Sequence, residues 1–537
     1  MKKYNHVLLP ILIAISIALG IFIGNHYLLL SKRGDSKLNL DHKMSALLEI
    51  VKSRYVDSLS MDSLVEQAIP KVLSGLDPHS VYISAKDLEA VNEDLEGSFS
   101  GIGVQFNIQN DTVMIVDVIS GGPSERLGLL AGDRIVEIND TAFVGKTVSN
   151  EGVMKRLRGK KGTKVKLGVK RSTSKSILSF TITRGDIPVN SIDIAYQPVE
   201  GIGYIRVNKF ASNTYDEFLR SLAKLSQSNV KGIIVDLRGN SGGYMDAAIN
   251  MINEFLPKDR LIVYTEGENS KRVDAYSDGK GSFKDMPITV LIDEWSASAS
   301  EIFAGAIQDN DRGIVIGRRS YGKGLVQQQI ALYDGSAIRL TIARYHVPSG
   351  RCIQKEYKLG DDESYEEDIL NRFKHGEFDS KDSIKLNHNL KFETIGGRAV
   401  YGGGGIMPDI FVPRDTVGVN SYFNGVVNRG ILYQFCFKYA DDNRSTLNNF
   451  KDYNQMVKYL DTQNIIEDFV SFAESKGVRR RPYLIQESES LLVTQIYAYV
   501  ARNILGDDAF YPIFLRNDKA MKRAVNILKS GESYPIK

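Results

Sequence analysis

A chain of 537 residues exceeds what one hydrophobic core supports, so several domains are expected. Its 42% apolar and 25% charged residues are ordinary for a globular protein, and a net charge of +3 gives no reason to expect a nucleic-acid partner. Two cysteines exclude a disulfide framework, and seven histidines without a His-Glu-x-x-His or Cys-x-x-Cys pattern supply no metal-site motif.

The chain begins with Lys2 and Lys3 and then an apolar run over 7–24, continuing weakly to Leu30. That length can span a bilayer. No small-x-small cleavage site ends it, so residues 1–30 are expected to be an uncleaved membrane anchor. A cleaved signal segment, giving a secreted form, is the alternative.

Helical spacing of apolar residues predicts a helical segment over 38–96, with a turn at Leu76-Asp-Pro-His-Ser80. Residues 97–185 change character. Strands are expected at 103–108, 112–118, 133–138, 164–170 and 176–183, with short helices near 124–127 and 148–157. This is a β-rich module of about ninety residues. From 201 strands and helices alternate: strands at 202–207, 232–237, 287–292 and 313–317, helices at 215–225, 244–256 and 299–308. Alternation of this kind predicts a parallel-rich α/β domain. A hairpin is expected from 325–332 and 336–346 around Tyr333-Asp-Gly-Ser336. Residues 355–394, with eleven acids, read as a mobile polar insert in a domain spanning 186–413. Residues 406–412 read as a last strand, and 414–537 as a mainly helical extension.

Four places carry chemistry. Ser298, in Ser296-Ala-Ser-Ala-Ser-Glu-Ile302, lies between a strand and a helix start. There the local positive potential favours a developing anion, and the Ala299 N–H can face it. The same pattern also suits ordinary N-cap chemistry. Lys323, in Tyr321-Gly-Lys-Gly-Leu-Val-Gln327, is free of crowding and can act as a base if burial lowers its pKa. Residues 317–323 match phosphate-loop spacing, but Gly324 stands where Ser or Thr should, and a strand pattern follows instead of a helix. Asp236-Leu-Arg-Gly-Asn-Ser-Gly-Gly243 can serve as an oxyanion hole through Gly242 or Gly243, or place Ser241 on a nucleophile elbow of a histidine-dependent α/β-hydrolase. Gly101-Ile-Gly-Val104 can form a nest of N–H groups for a carboxylate, with Val153 and Leu157 walling a pocket for an apolar side chain.

Together these segments resemble the carboxy-terminal processing peptidases, S41-type tail-specific serine–lysine proteases that carry a PDZ domain. Gly101, Ile102, Gly103 and Val104 resemble the PDZ carboxylate loop, and 236–243 the oxyanion segment. The segment 296–302 resembles the nucleophile motif and 321–327 the base motif, while Gly405-Ile-Met-Pro-Asp409 resembles the segment closing the core. The resemblance covers roughly 40–413. Tyr321 and Leu325 depart from its usual Phe-Gly-Lys-Gly-Thr. It implies a ClpP/crotonase-like α/β core with an inserted PDZ domain. It also implies Ser298 as nucleophile, Lys323 as base and Gln327 as the residue orienting that base. No cofactor or metal is implied. The expected partners are proteins or peptides with free, apolar C-termini, with an oligomer or adaptor partner left open. The expected location is membrane-anchored with the catalytic part exported, periplasmic in a Gram-negative bacterium. A non-catalytic PDZ scaffold and a hydrolase using Ser241 are the competing functions.

Overall fold

Strands Gly232–Asp236 and Ile288–Ile292 are buried at every position. A strand with no exposed face must lie inside a sheet covered on both sides. In the computed structural model, which describes residues 40–531 except 110, 120, 131, 172 and 173, together with Ser16 and Gly20, that is where they lie. They are the third and fourth strands of a six-stranded sheet ordered Ile192–Val199, Ile202–Val207, Gly232–Asp236, Ile288–Ile292, Ile314–Gly317 and Ile410–Phe411. The first pair is antiparallel and the others are parallel.

Alternate residues of these strands serve different layers. Val207, Ile233, Val235 and Val290 pack with helices Thr214–Ser226, Met245–Asn253 and Ala299–Asp309, through Phe218, Met251, Phe303 and Ile307. Tyr204, Ile234, Leu291 and Ile316 face the other way and are covered by Met521, Ala524 and Ile527 of helix Lys519–Ser530. Over its described residues, 414–531, the extension is helical as expected, but its last helix supplies a layer of the α/β domain. Its other helices, including Ile431–Asp442, Ile465–Ser475 and the central Pro482–Leu505, pack around a separate apolar core.

The expected hairpin forms from Leu325–Ala331 and Ala337–His346. It belongs to a second, five-stranded sheet with Leu261–Gly267, Ser270–Tyr276 and Val81–Ile83. Three of these strands escape the sequence reading. Ser270–Tyr276 is mostly exposed, so it carries no apolar run. Val81–Ile83 is three residues long and lies within the segment expected to be helical. Helices Leu40–Arg54 and Met61–Leu73 fall in a separate compact unit ending at Leu73.

The β-rich module is present. Its sheet runs Val104–Gln109, Thr112–Val118, Arg134–Ile138, Lys164–Lys170 and Leu178–Thr183, with helices Pro123–Arg126 and Asn150–Leu157. Incoming strand Ser98–Gly101 pairs with outgoing strand Gly185–Pro188, so both crossings share one ladder. The insert over 355–394 departs from expectation. It holds helix Asp362–Lys374, whose Tyr365 and Arg372 are buried, and Arg372 donates to the carbonyls of Arg319 and Ser320. Both cysteines are free, Cys436 buried and Cys352 half-buried. Among described residues no helix is long and apolar enough to cross a membrane. The anchor expected over 1–30 lies, apart from Ser16 and Gly20, outside the described residues.

The covering role of the last helix is testable. Ile527 is 1% exposed, so Ile527→Ala is expected to destabilise the fold by about 2–5 kcal/mol. Urea unfolding read from Trp295, the one tryptophan of the chain, measures this; an unchanged midpoint contradicts the packing.

Candidate active site

In a parallel sheet the carboxyl ends of neighbouring strands open onto one edge, where ligands bind. Asp236, Ile292 and Gly317 end three adjacent strands here, in register Asp236↔Leu291 and Ile292↔Gly317. The segments expected to supply an oxyanion hole, a nucleophile and a base follow those three ends, and sheet order brings them together. Ser298, Lys323, Gly242, Gly243 and Ser241 line one cleft of about 400 Å³, with Gln327 and Arg339.

Ser298 sits at φ 55, ψ −115. An ordinary N-cap serine has extended backbone; a β-carbon at positive φ is strained and is held only by surrounding contacts. The holding group is Glu301, 1% exposed. One of its carboxylate oxygens accepts the Ser298 N–H at 2.9 Å and the Lys323 N–H at 2.8 Å. The other accepts the Gly322 N–H at 2.7 Å and the Ser320 hydroxyl at 2.5 Å. Burial pushes this carboxyl up to about 7, against the opposing pull of its four hydrogen bonds. On the opposite side the Tyr345 hydroxyl, 3.1 Å from the Ser298 carbonyl oxygen, also bonds the Lys323 carbonyl. Both residues are therefore clamped through N–H and C=O alike.

Lys323 Nζ makes no hydrogen bond or ion pair among the described residues. Burial lowers its pKa below the ordinary lysine value, and the Arg339 charge adds to this, while Glu301 and Asp77 oppose it. The turn at 76–80 returns close to this lysine. Asp77 accepts from Thr341 Oγ1 at 2.8 Å and from Ser80 Oγ at 2.5 Å. The His79 ring contacts Tyr365 OH at 3.0 Å, and burial, followed by the Lys323 charge, pushes its pKa down to about 4.

The oxyanion segment separates the two glycine candidates. The Gly242 N–H is committed to Asn240 Oδ1 at 2.8 Å, so it is not available to a ligand. No acceptor within the described residues takes the Gly243 or Ala299 N–H. Close approach demands glycine at both positions. A β-carbon at Gly242 would lie 2.7 Å from Ser298 Cβ, and one at Gly243 only 2.0 Å from the Phe210 carbonyl oxygen.

Other expectations need correction. Gln327 lines the cleft, but its amide donates to Leu325 O at 3.2 Å and Thr341 Oγ1 at 3.4 Å, not to Lys323. Ser241 is exposed in the cleft, and no described histidine hydrogen-bonds it, so the histidine-dependent elbow has no base. In the β-rich module Gly103 has φ 78 and Val104 opens strand Val104–Gln109 at the edge of its sheet, as an added peptide strand requires. Gly101 pairs with Gly185 and Ile102 is buried. Val153 and Leu157, at 0% and 4% exposure, belong to the module core. Their four-residue spacing marks a buried helix face equally well. Glu301, Tyr345 and Arg339 escape the sequence reading as site residues. Glu301 stands inside the nucleophile motif, but its role depends on being buried against a loop 19 to 22 residues away.

The clamp predicts the effect of Glu301→Gln. The amide accepts at one end only, so either the Ser298 and Lys323 N–H groups or the Gly322 N–H and the Ser320 hydroxyl lose their acceptor, at a cost of about 1–3 kcal/mol. Displacing either clamped residue by an ångström lowers turnover roughly 100-fold. Steady-state kinetics together with thermal unfolding check both; unchanged kcat contradicts the clamp.

The profile of peptidase family S41 matches residues 201–364, a PDZ domain matches 100–182, and a family of unknown function, DUF8443, matches 422–506. The carboxy-terminal processing protease CtpB of Bacillus subtilis (strain 168) is 34% identical over 317 residues, covering 58% of this chain and 65% of that protein. A probable CtpA-like serine protease of Staphylococcus aureus (strain N315) is 33% identical over 341 residues, covering 63% of this chain and 67% of that protein. The chain thus spans about two thirds of the length of these relatives. Among solved structures, a photosystem II D1 C-terminal processing protease is 24% identical with a TM-score of 0.36, covering 69% of this chain and 92% of that one. With 33% identity over two thirds of the Staphylococcus aureus protease, and with the S41 and PDZ profiles matched in the expected order, this chain belongs to peptidase family S41.

Proposed function

We propose that the chain is a serine endopeptidase that cleaves exported proteins near their C-termini, using Ser298 as nucleophile and Lys323 as base. The observation that carries the proposal is the convergence of three things on one cleft. These are a serine held at positive φ, a lysine whose pKa burial depresses, and the uncommitted Gly243 N–H, with the Ala299 N–H following the serine.

Neutral Lys323 takes the Ser298 hydroxyl proton as Oγ bonds to the scissile carbonyl carbon. The carbonyl electron pair moves to oxygen, where the Ala299 and Gly243 N–H groups receive it, each contributing on the order of 3 kcal/mol. The lysine ammonium then gives its proton to the departing amine. Water, deprotonated by the same lysine, hydrolyses the acyl-serine and restores both groups.

The β-rich module supports recognition of the substrate tail, since its edge strand Val104–Gln109 can take an extended peptide. Helix Leu88–Glu96 links that module to the cleft. Its Asn92 and Leu95 line the cleft, while Glu93 accepts the Ser100 N–H at 3.0 Å and pairs with Arg158 at 3.2 Å. A tail held by the module is thereby received beside Ser298. The apolar run over 7–24 supports anchoring at a membrane with the catalytic part exported.

Ser298→Ala and Lys323→Ala, assayed on a protein with an unstructured apolar C-terminal tail, are each expected to abolish cleavage while leaving the fold intact. Tail binding without cleavage in the unaltered chain would favour a scaffold instead. The base has a pH signature too. It works unprotonated, so kcat falls as pH drops through its depressed pKa. Arg339→Gln removes a nearby positive charge, raises that pKa and moves the alkaline rise to higher pH. A pH–rate profile unmoved, or moved to lower pH, contradicts Lys323 as base.

A further inference from the structure

Seven charged or phenolic groups, none of them lining the cleft, gather at the start of the oxyanion segment. Asp236, fully buried at the end of its strand, accepts the Tyr204 hydroxyl at 2.6 Å and the Arg206 guanidinium at 3.4 Å. Arg238, two residues on, folds its guanidinium back onto the same carboxylate at 2.7 to 3.1 Å. Burial works to raise the Asp236 carboxyl, but the two guanidiniums outweigh it and hold it at about 2. Two cations against one buried anion leave positive charge uncompensated.

Helix Lys519–Ser530 supplies the missing charge. Its N-cap residue Asp518 uses Oδ1 to accept the Met521 N–H at 2.7 Å, and Oδ2 to accept from Arg238 Nη1 at 2.8 Å. Nearby, the Tyr511 hydroxyl donates to Asp193 at 2.6 Å, and Asp193 pairs with Arg206 at 3.2 Å. Each arginine thus receives a second anion tied to the C-terminal extension. Asp518 lies outside both the S41 match at 201–364 and the match at 422–506.

The oxyanion segment is fixed between this network and the nucleophile loop. Above, Asn240 O accepts the Ala297 N–H at 3.0 Å and the Ser300 hydroxyl at 2.9 Å, and Leu237 O accepts the Ser296 hydroxyl at 2.8 Å. Below, Arg238 is the residue that meets the charge network, and Arg206 also donates to its carbonyl at 3.1 Å. Without Asp518 the Arg238 guanidinium is held by Asp236 alone, and the turn that aims the Gly243 N–H is less firmly fixed.

We propose that Asp518 is a positioning residue for the oxyanion hole, acting through Arg238, so that the C-terminal extension serves transition-state binding as well as covering the sheet. This rests on the reading of 236–243 as the oxyanion segment of a peptidase.

The two functions of Asp518 separate by substitution. In Asp518→Ser the hydroxyl still caps the helix but is too short to reach Arg238. In Asp518→Glu the longer arm reaches Arg238 but caps poorly. With the full chain and a tailed protein substrate, Asp518→Ser is expected to lower kcat about tenfold with KM held within about twofold, and Asp518→Glu to keep kcat within about twofold. Two results overturn the proposal. One is Asp518→Ser with unaltered kcat. The other is a loss in both variants that follows the fall in melting temperature. Ser298→Ala is measured alongside: if it still cleaves, the peptidase reading itself fails, whereas an inactive Ser298→Ala beside a fully active Asp518→Ser removes only the role of Asp518.

Discussion

The site depends on one buried carboxylate. Glu301 joins two loops that have no covalent reason to meet, by accepting N–H groups from both Ser298 and Lys323 on the same oxygen. A buried acceptor with four donors has no better partner elsewhere, and four N–H or O–H groups buried without it would each be costly. Ser298 can therefore stay at positive φ, a conformation its own side chain disfavours. Tyr345 closes the clamp from the carbonyl side. The energy for this comes from the well-packed core behind it, where helix Ala299–Asp309 is buried at every residue.

The same logic extends outward in layers. The parallel sheet sets three strand ends side by side, and the loops they carry become the site. Lys323 Nζ has no hydrogen-bonding partner among the described residues, and burial and the positive Arg339 favour its neutral form. The carboxyl that most opposes this, Glu301, has its own pKa raised to about 7 by burial. Around the site, the turn at Asp77–Ser80, the insert helix Asp362–Lys374 and the last helix Lys519–Ser530 each tie one segment of it in place. Those three elements come from parts of the chain far apart in sequence.

Much of this was legible in the sequence because its signals are local. The buried parallel strands show as unbroken apolar runs, and the turns after them as small residues. Ser298 and Lys323 stand out for that reason. What escaped depends on distance. Whether Gly242 or Gly243 offers its N–H is decided by Asn240 Oδ1, a matter of side-chain rotamer. Gln327 sits four residues from Lys323 but on a strand whose register directs its amide to Thr341. Val153 and Leu157 have the spacing of either a pocket wall or a core face, and the module core claims them. The acidic run at 361–368 masks a helix whose Tyr365 and Arg372 are buried, since burial of a few residues leaves composition unchanged.

The central claim is that Lys323 activates Ser298. Covalent labelling by a serine-directed fluorophosphonate tests it without any assumption about substrate. The account predicts a single adduct at Ser298, with a labelling rate that climbs with pH, and no adduct in Lys323→Ala chain that remains folded. An adduct at Ser241, or undiminished labelling of Ser298 in Lys323→Ala, would contradict it.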